Sequence, residues 1–151
     1  MTGKEKIVAA LLTLTAIVYA VIPPIVDSNA THILNPEWPA HARFHTVWQV
    51  SVNSMLGVLS LLLVWWPGAN RTLRTKIGAG LGCIALGGFY VAAMTRQLYG
   101  GAFSDPNGVP PVAGMDANLL LFTPASLIQV ATLLLILFPE LTLRKNSLIC
   151  D

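Results

Sequence analysis

Residues 45–66 read HTVWQVSVNSMLGVLSLLLVWW, a stretch that begins with polar side chains, becomes almost purely apolar and ends on two tryptophans. Its length matches the ~20 residues that a helix needs to cross ~30 Å of hydrocarbon. Three more apolar runs of similar length lie outward from it, at residues 7–26, 77–94 and 119–138. Backbone groups in lipid must be hydrogen-bonded within their own segment, so each run is predicted to be a helix.

Composition agrees with this interpretation, because 54% of the 151 residues are hydrophobic and only 11% are charged. That balance is typical of membrane proteins, and the alternating pattern of barrel strands is absent from the sequence. We therefore predict an all-α fold, an integral membrane four-helix bundle that forms one domain over residues 1–151. The helices are expected at about residues 7–26, 41–66, 76–97 and 118–138.

The positive charges predict an orientation, because cytoplasmic loops carry an excess of Lys and Arg. Most of these residues precede the first helix, join the second to the third, or follow the fourth: Lys4, Lys6, Arg71, Arg74, Lys76, Arg144 and Lys145. Arg43 and Arg96 lie on the opposite side. Both termini should then be cytoplasmic and the two long loops should face out. The predicted location is a multi-pass integral membrane protein of the inner or plasma membrane, or of the endoplasmic reticulum in a eukaryote.

The best candidate site begins where the second helix enters the membrane. At helical spacing, His41, His45, Trp48 and Gln49 share one stripe, with Arg43 round the side. Polar residues such as Asn53 continue this stripe inward. Because polar side chains are costly when they face lipid, the stripe is expected to face the bundle interior and to line a polar pocket open to the outside.

Further candidates lie at the same level of the predicted bundle. Glu37 comes from the preceding loop, and Tyr90 and Arg96 come from the outer end of the third helix, where Arg96 could pair with Glu37 or Asp116. The predicted catalytic residues are Glu37, His41, His45 and Arg96. The predicted ligand contacts are Trp48, Gln49, Asn53, Arg43 and Tyr90.

Three other features bear on how the helices end and pack. The pair Pro23-Pro24 should end or kink the first helix and free carbonyls that need other partners. Gly78-x-x-x-Gly82 should allow a neighbouring backbone to approach the third helix closely. The fourth helix should begin at an N-cap, Asp116 or Asn118, and its mid-membrane Gln129 should serve either as a link between helices or as a ligand contact.

Several familiar signatures are absent from the sequence, including a Gly-rich phosphate loop, Cys-x-x-Cys, His-Glu-x-x-His and a nucleophilic-serine motif. Cys83 and Cys150 fall at different depths of the predicted topology, which disfavours a disulfide between them. The net charge of +2 is accounted for by the basic anchors, so no nucleic-acid partner is expected. No particular cofactor is indicated.

The motifs NATH at residues 29–32 and NPEWPAHARFHTVWQ at residues 35–49 resemble a family of small four-helix membrane proteins of unknown function. That resemblance implies the architecture and no activity. In architecture alone, a bundle with both ends cytoplasmic and a polar pocket under its outer face is similar to the emopamil-binding sterol isomerase group. This second similarity assigns no residue.

Three functions of different classes follow as hypotheses. The first is a membrane-embedded acid–base enzyme, an isomerase or cyclase, in which His45 exchanges protons with Glu37 or His41 on a lipophilic small molecule. The second is a metal or haem site built on the two histidines at i and i+4, completed by His32 or Glu37. The third is an accessory subunit of a larger membrane assembly. The expected partners are the lipid bilayer, a lipophilic small molecule and a homo- or hetero-oligomer.

Overall fold

The computed structural model describes residues 1–104 and 108–138, and its regular structure is helical throughout that part of the chain. Four helices are long and apolar enough to cross a membrane: α1 Gly3–Asp27, α2 Ala40–Trp65, α3 Arg71–Thr95 with a 3-10 extension at Arg96–Tyr99, and α4 Ala117–Leu137. The predicted all-α class is thereby confirmed, as is the presence of four helices long and apolar enough to span a membrane.

Two helices begin at capping residues, and the sequence predicted the one on α4. α1 begins at Gly3, ahead of the predicted residue 7, because Thr2 and Glu5 form a capping box. The Thr2 hydroxyl accepts the Glu5 amide at 3.3 Å, and the Glu5 carboxylate accepts the Thr2 amide at 2.7 Å. At the start of α4 the Asp116 carboxylate accepts the amide of Asn118 at 2.9 Å, so Asp116 is the N-cap.

α1 lies at the centre of the bundle and packs against the other three helices. Two groups of buried side chains run along it, one near the N-terminal end and one deeper in the bundle. The first group is Val8, Ala9, Leu12, Val64 and Ala79, and the second is Ala16, Tyr19, Ala20, Leu86 and Ala125. A larger share of α1 is buried than of any other described span.

The proline pair does not end α1, which continues through Pro23 and Pro24 to Asp27. A π-helical turn, Ile17–Val21, precedes the prolines. Because Pro24 has no amide hydrogen, it cannot donate to the Ala20 carbonyl four residues earlier. The Ser54 hydroxyl of α2 donates to that carbonyl at 2.9 Å. Of the two predicted effects, an end or a kink, the helix does not end at the proline pair, and the freed carbonyl finds its partner on a neighbouring helix.

Small residues set the close contacts between helices. A Cβ at Gly57 of α2 would collide with the Cβ of Ala20 on α1. A Cβ at Gly78 would lie 3.0 Å from Val64 and 3.1 Å from the Ser60 carbonyl oxygen, both on α2. The Ser60 hydroxyl donates to the Gly78 carbonyl at 2.9 Å. α2 and α3 therefore meet backbone to backbone at this level, as the glycine spacing predicts.

Gln129 links three helices at the middle of the bundle. Its side-chain carbonyl accepts the Thr15 hydroxyl of α1 at 2.5 Å, and its amide donates to the Ala79 carbonyl of α3 at 2.6 Å. The side chain is buried, at 1% exposure. Of the two roles that the sequence leaves open for Gln129, the structure shows the link between helices.

Candidate functional site

The histidine-bearing stripe of α2 points away from the bundle, which corrects the expectation that it faces the interior. His41, His45 and Gln49 are exposed, and Trp48 is 57% exposed. The buried side of α2 is set by other residues, Val50, Gly57, Ser60 and Val64. At ~100° per residue, His45 and Trp48 lie about 140° and about 160° around the helix from Val50. Close packing of small residues thus decided the rotation, and the polar stripe faces outward.

His41 and His45 form a hydrogen-bonded pair on this outward face. Their Nε2 atoms are 3.0 Å apart, and the two rings meet edge to face with centroids separated by 4.4 Å. The Trp48 indole stacks on His45 at 5.8 Å, and Phe44 stacks on His41 at 6.5 Å. We call His41, Phe44, His45 and Trp48 the histidine stripe. It is an exposed aromatic surface on the first turns of α2, and a hydrogen bond joins its two histidines.

A shallow lateral groove continues from the histidine stripe along α2. It is lined by His45, Trp48, Gln49, Val52 and Asn53. The groove is open at the side of the bundle and is not an enclosed pocket under the outer loops. Four of its lining residues are predicted site residues. The His41 ring does not line the groove but contacts His45, which does.

The remaining predicted site residues lie elsewhere. Arg96 donates to the Ala93 carbonyl at 2.7 Å, and its guanidinium lies 4.6 Å from the centroid of the Phe103 ring. Glu37 is exposed, and its backbone amide donates to Asn35 at 3.0 Å. Arg96 is thus attached to the second loop, and Asp116, its other predicted partner, caps α4.

Arg43 and Tyr90 are half-buried residues of the outer level. Tyr90 meets the edge of Phe89, with ring centroids 5.3 Å apart, and Phe89 stacks on Phe122 of α4 at 4.8 Å. Tyr90 therefore belongs to the aromatic contact between α3 and α4. Neither Arg43 nor Tyr90 lines the lateral groove.

The first loop contains a cluster that the sequence interpretation did not assemble. The Asp27 carboxylate lies 3.8 Å from His32 Nδ1, the Thr31 hydroxyl lies 2.7 Å from the same nitrogen, and Trp38 meets the His32 ring edge to face at 5.4 Å. Asn35 is buried beneath these residues, at 2% exposure. The sequence signal that could have revealed this cluster is a histidine five positions after an aspartate at the end of a helix. The cluster ties the loop to the end of α1.

A cavity at the opposite end of the bundle was also missed. We call this end the basic end, because Lys4, Lys6, Arg71, Arg74 and Lys76 lie there. The cavity has a volume of about 200 Å³ and opens between the ends of all four helices. Sequence reasoning treated this end as plain basic anchors, and only the packing of the helix ends reveals the space between them.

The described residues contain no group of three or more His, Cys, Asp or Glu side chains that could hold a metal ion. The His41 and His45 Nε2 atoms supply two convergent nitrogens, whereas protein zinc sites use three or four protein ligands. A zinc ion at this position would therefore need further ligands from a second molecule.

Comparison with known proteins gives one match. Residues 11–131, most of the chain, match the model of a family described as "Family of unknown function (DUF6640)". No curated protein matches, and no solved structure matches. The similarity to the emopamil-binding sterol isomerase group stays a prediction from architecture.

Proposed function

The chain belongs to the DUF6640 family of unknown function, and we propose that it is a membrane-embedded acid–base enzyme of the isomerase or cyclase type. Its substrate would be a lipophilic small molecule. The observation that carries this proposal is the His41–His45 pair, whose Nε2 atoms are 3.0 Å apart beside an open lateral groove. Imidazole is the side chain whose ordinary pKa lies nearest neutrality, which suits both removing and returning a proton.

The pair provides both partners of a proton exchange. In the neutral pair one Nε2–H donates to the lone pair of the other Nε2, so the donor ring keeps a free lone pair on Nδ1 and the acceptor ring keeps an Nδ1–H. His45 would act as the donor ring and use its Nδ1. His45, which lines the groove, would take a proton from a substrate carbon. A proton held by the pair would then be returned at a second carbon. The net reaction moves a double bond, consumes no oxidant and leaves the two imidazoles in their starting state.

The groove supplies binding and orientation for such a substrate. Trp48 is more than half exposed and offers an indole face that can stack on a flat apolar molecule or stabilise a carbocation. Gln49 and Asn53 add amide groups that can hold one polar substituent. Because the groove opens at the side of the bundle, a substrate dissolved in the bilayer would reach His45 without crossing water.

A second candidate function, an accessory subunit of a larger assembly, is favoured by the same outward face. Phe44 is 61% exposed and Met55 is 62% exposed, and between them the polar side chains of Gln49 and Ser51 are exposed as well. Lipid cannot satisfy an amide or a hydroxyl, whereas a partner helix can. In this case the histidine stripe would be a protein contact.

The substitution His45→Gln separates these functions. Cells lacking the gene would be compared by untargeted lipid profiling with cells that carry the wild-type chain, His45→Gln or the control His32→Gln. We expect the deletion to accumulate one lipophilic compound and lose another of the same mass. His45→Gln should reproduce that pattern at unchanged protein yield and melting temperature, because glutamine still makes a hydrogen bond there. His32→Gln should behave as wild type.

Other outcomes identify the alternatives. Loss of a co-purifying membrane protein with either His45→Gln or Phe44→Ala, at unchanged lipids, supports the accessory subunit. Metal that co-purifies with the wild type and is lost from both His41→Gln and His45→Gln supports a metal site shared with a second molecule. If His41→Gln and His45→Gln each restore the wild-type lipid profile, the enzyme proposal is wrong.

A further inference from the structure

The cavity at the basic end, which we call the basal cavity, has an apolar floor. Val8 and Ala9 of α1 and Val64 of α2 line it and are at most 6% exposed, and Leu135 and Ile136 of α4 complete the apolar side. Val8, Ala9 and Val64 belong to the first buried group of the bundle, and Ile136 packs against it. The floor therefore favours a hydrocarbon segment over water.

The rim of the basal cavity is polar and carries more positive than negative charge. Two cationic side chains, Lys4 and Arg71, line the rim together with one carboxylate, Glu5. That carboxylate accepts the backbone amide of Thr2 in the capping box, so it is held at the start of α1. The Arg71 guanidinium donates one long hydrogen bond, 3.3 Å, to the Val64 carbonyl. A guanidinium has five N–H donors, so Arg71 retains donors for an anion.

From this combination we propose that the basal cavity binds an anionic phospholipid. The phosphate would lie between Arg71 and Lys4, and the first part of one acyl chain would lie on the floor formed by Val8, Ala9 and Val64. A volume of about 200 Å³ is smaller than that of a pocket for a whole drug-sized ligand, roughly 300–1,000 Å³. The cavity therefore holds the headgroup junction, and the remaining hydrocarbon follows the helices. The hydroxyls of Thr72 and Thr75 at the rim add donors for phosphate oxygens.

The charge of the surrounding surface supports an anionic occupant over a neutral one. Lys6, Arg74 and Lys76 lie at the same end and add a general attraction for anionic lipid. A general attraction alone would make every cation at this end equivalent. The basal cavity predicts that Arg71 and Lys4 matter more than their neighbours, because only these two of the basic side chains at this end line the cavity.

The test uses the purified full chain in non-ionic detergent, with lipid adducts measured by native mass spectrometry. Dioleoyl phosphatidic acid and dioleoyl phosphatidylcholine are titrated separately. Two charge-assisted contacts to one phosphate should make phosphatidic acid bind ~10-fold more tightly or better. The double variant Lys4→Ala/Arg71→Ala should lose this preference. The charge-matched control Lys6→Ala/Lys76→Ala should keep its affinity within about twofold, because neither of its cations lines the cavity.

A third variant tests the cavity without changing charge. Thr72 lies at the rim and is exposed, so Thr72→Trp should fill the space and weaken phosphatidic acid binding while the chain still folds. If Lys4→Ala/Arg71→Ala fails to fold, the phosphatidic acid binding of Thr72→Trp still tests the proposal. Equal binding of both lipids, equal losses in the two charge-matched variants, or unchanged binding in Thr72→Trp would each overturn the proposal. Displacement of the lipid by excess inorganic phosphate would show a free anion site instead.

Discussion

Gly78 and Gly82 lie one turn apart on α3 and face two different helices. A side chain at Gly78 would meet Val64 and the Ser60 carbonyl on α2, whereas one at Gly82 would lie 2.5 Å from the amide nitrogen of Gln129 on α4. The sequence predicted close packing here from the spacing alone. It could not assign partners, because spacing along one helix carries no information about which helix lies opposite.

At the residue scale we expect Gly82→Leu to disrupt the fold far more than Leu62→Ala. The new side chain would displace Gln129 and break its bonds to Thr15 and Ala79, at a cost of several kcal/mol from overpacking and lost buried hydrogen bonds. Leu62 is 48% exposed and can be trimmed for about 1 kcal/mol or less. Folded yield in detergent and resistance to denaturation by dodecyl sulfate measure both. Equal losses for the two variants would contradict the observed contact.

At the element scale, hydropathy located the four spans, and the N-cap preference located the start of α4. Hydropathy did not predict how α2 is rotated about its axis. The rule that polar side chains face inward favoured the stripe of His45 and Gln49, but Gly57 and Ser60 allow closer backbone contact and occupy the buried side. Ser54 and Ser60 satisfy both rules, since each is polar, faces the bundle and has a specific acceptor. The helical spacing therefore grouped His41, His45 and Trp48 correctly, whereas the direction in which this stripe faces was predicted wrongly.

The bond from Ser54 to the Ala20 carbonyl gives an element-scale prediction. Ser54→Ala should destabilise the contact between α1 and α2 by ~1 kcal/mol. In a Pro24→Ala background the amide of residue 24 can donate to the Ala20 carbonyl instead, so the same serine substitution should cost measurably less. Unfolding free energies of the wild type, both single variants and the double variant form the required cycle. Additive effects would show that the proline and the serine are not coupled through this carbonyl.

At the scale of the whole molecule, charge asymmetry predicts which end faces the cytoplasm. Among the described residues, Lys4, Lys6, Arg71, Arg74 and Lys76 share one end, and the loops that contain His32 and Phe103 share the other. Arg144, Lys145 and Cys150, which enter the same prediction, lie outside the described residues. The helices show that the chain can span a membrane. The direction of insertion follows from the positive-inside rule alone.

Cysteine labelling tests that direction. In a Cys83→Ala background, an impermeant maleimide added to intact cells should modify Ser104→Cys, which lies exposed in the second loop, and should leave Cys150 unmodified. Permeabilised cells provide the control in which both positions react. Modification of Cys150 in intact cells would reverse the orientation, and the basal cavity would then face the outer leaflet.

The contacts of Gln129 also have a consequence for biosynthesis. Its partner Thr15 lies 114 residues earlier, so a nascent chain contains α1, α2 and α3 before the amide that joins α4 to α1 and α3 has been made. Until then the Thr15 hydroxyl can donate to the Leu12 carbonyl of its own helix, 3.1 Å away, so its hydrogen-bond donor is satisfied. Gln129 enters the bilayer last and finds Thr15 and the Ala79 carbonyl already in place. A ribosome stalled before residue 129 would leave three inserted helices with an unclosed centre, which is the form that membrane quality control would meet.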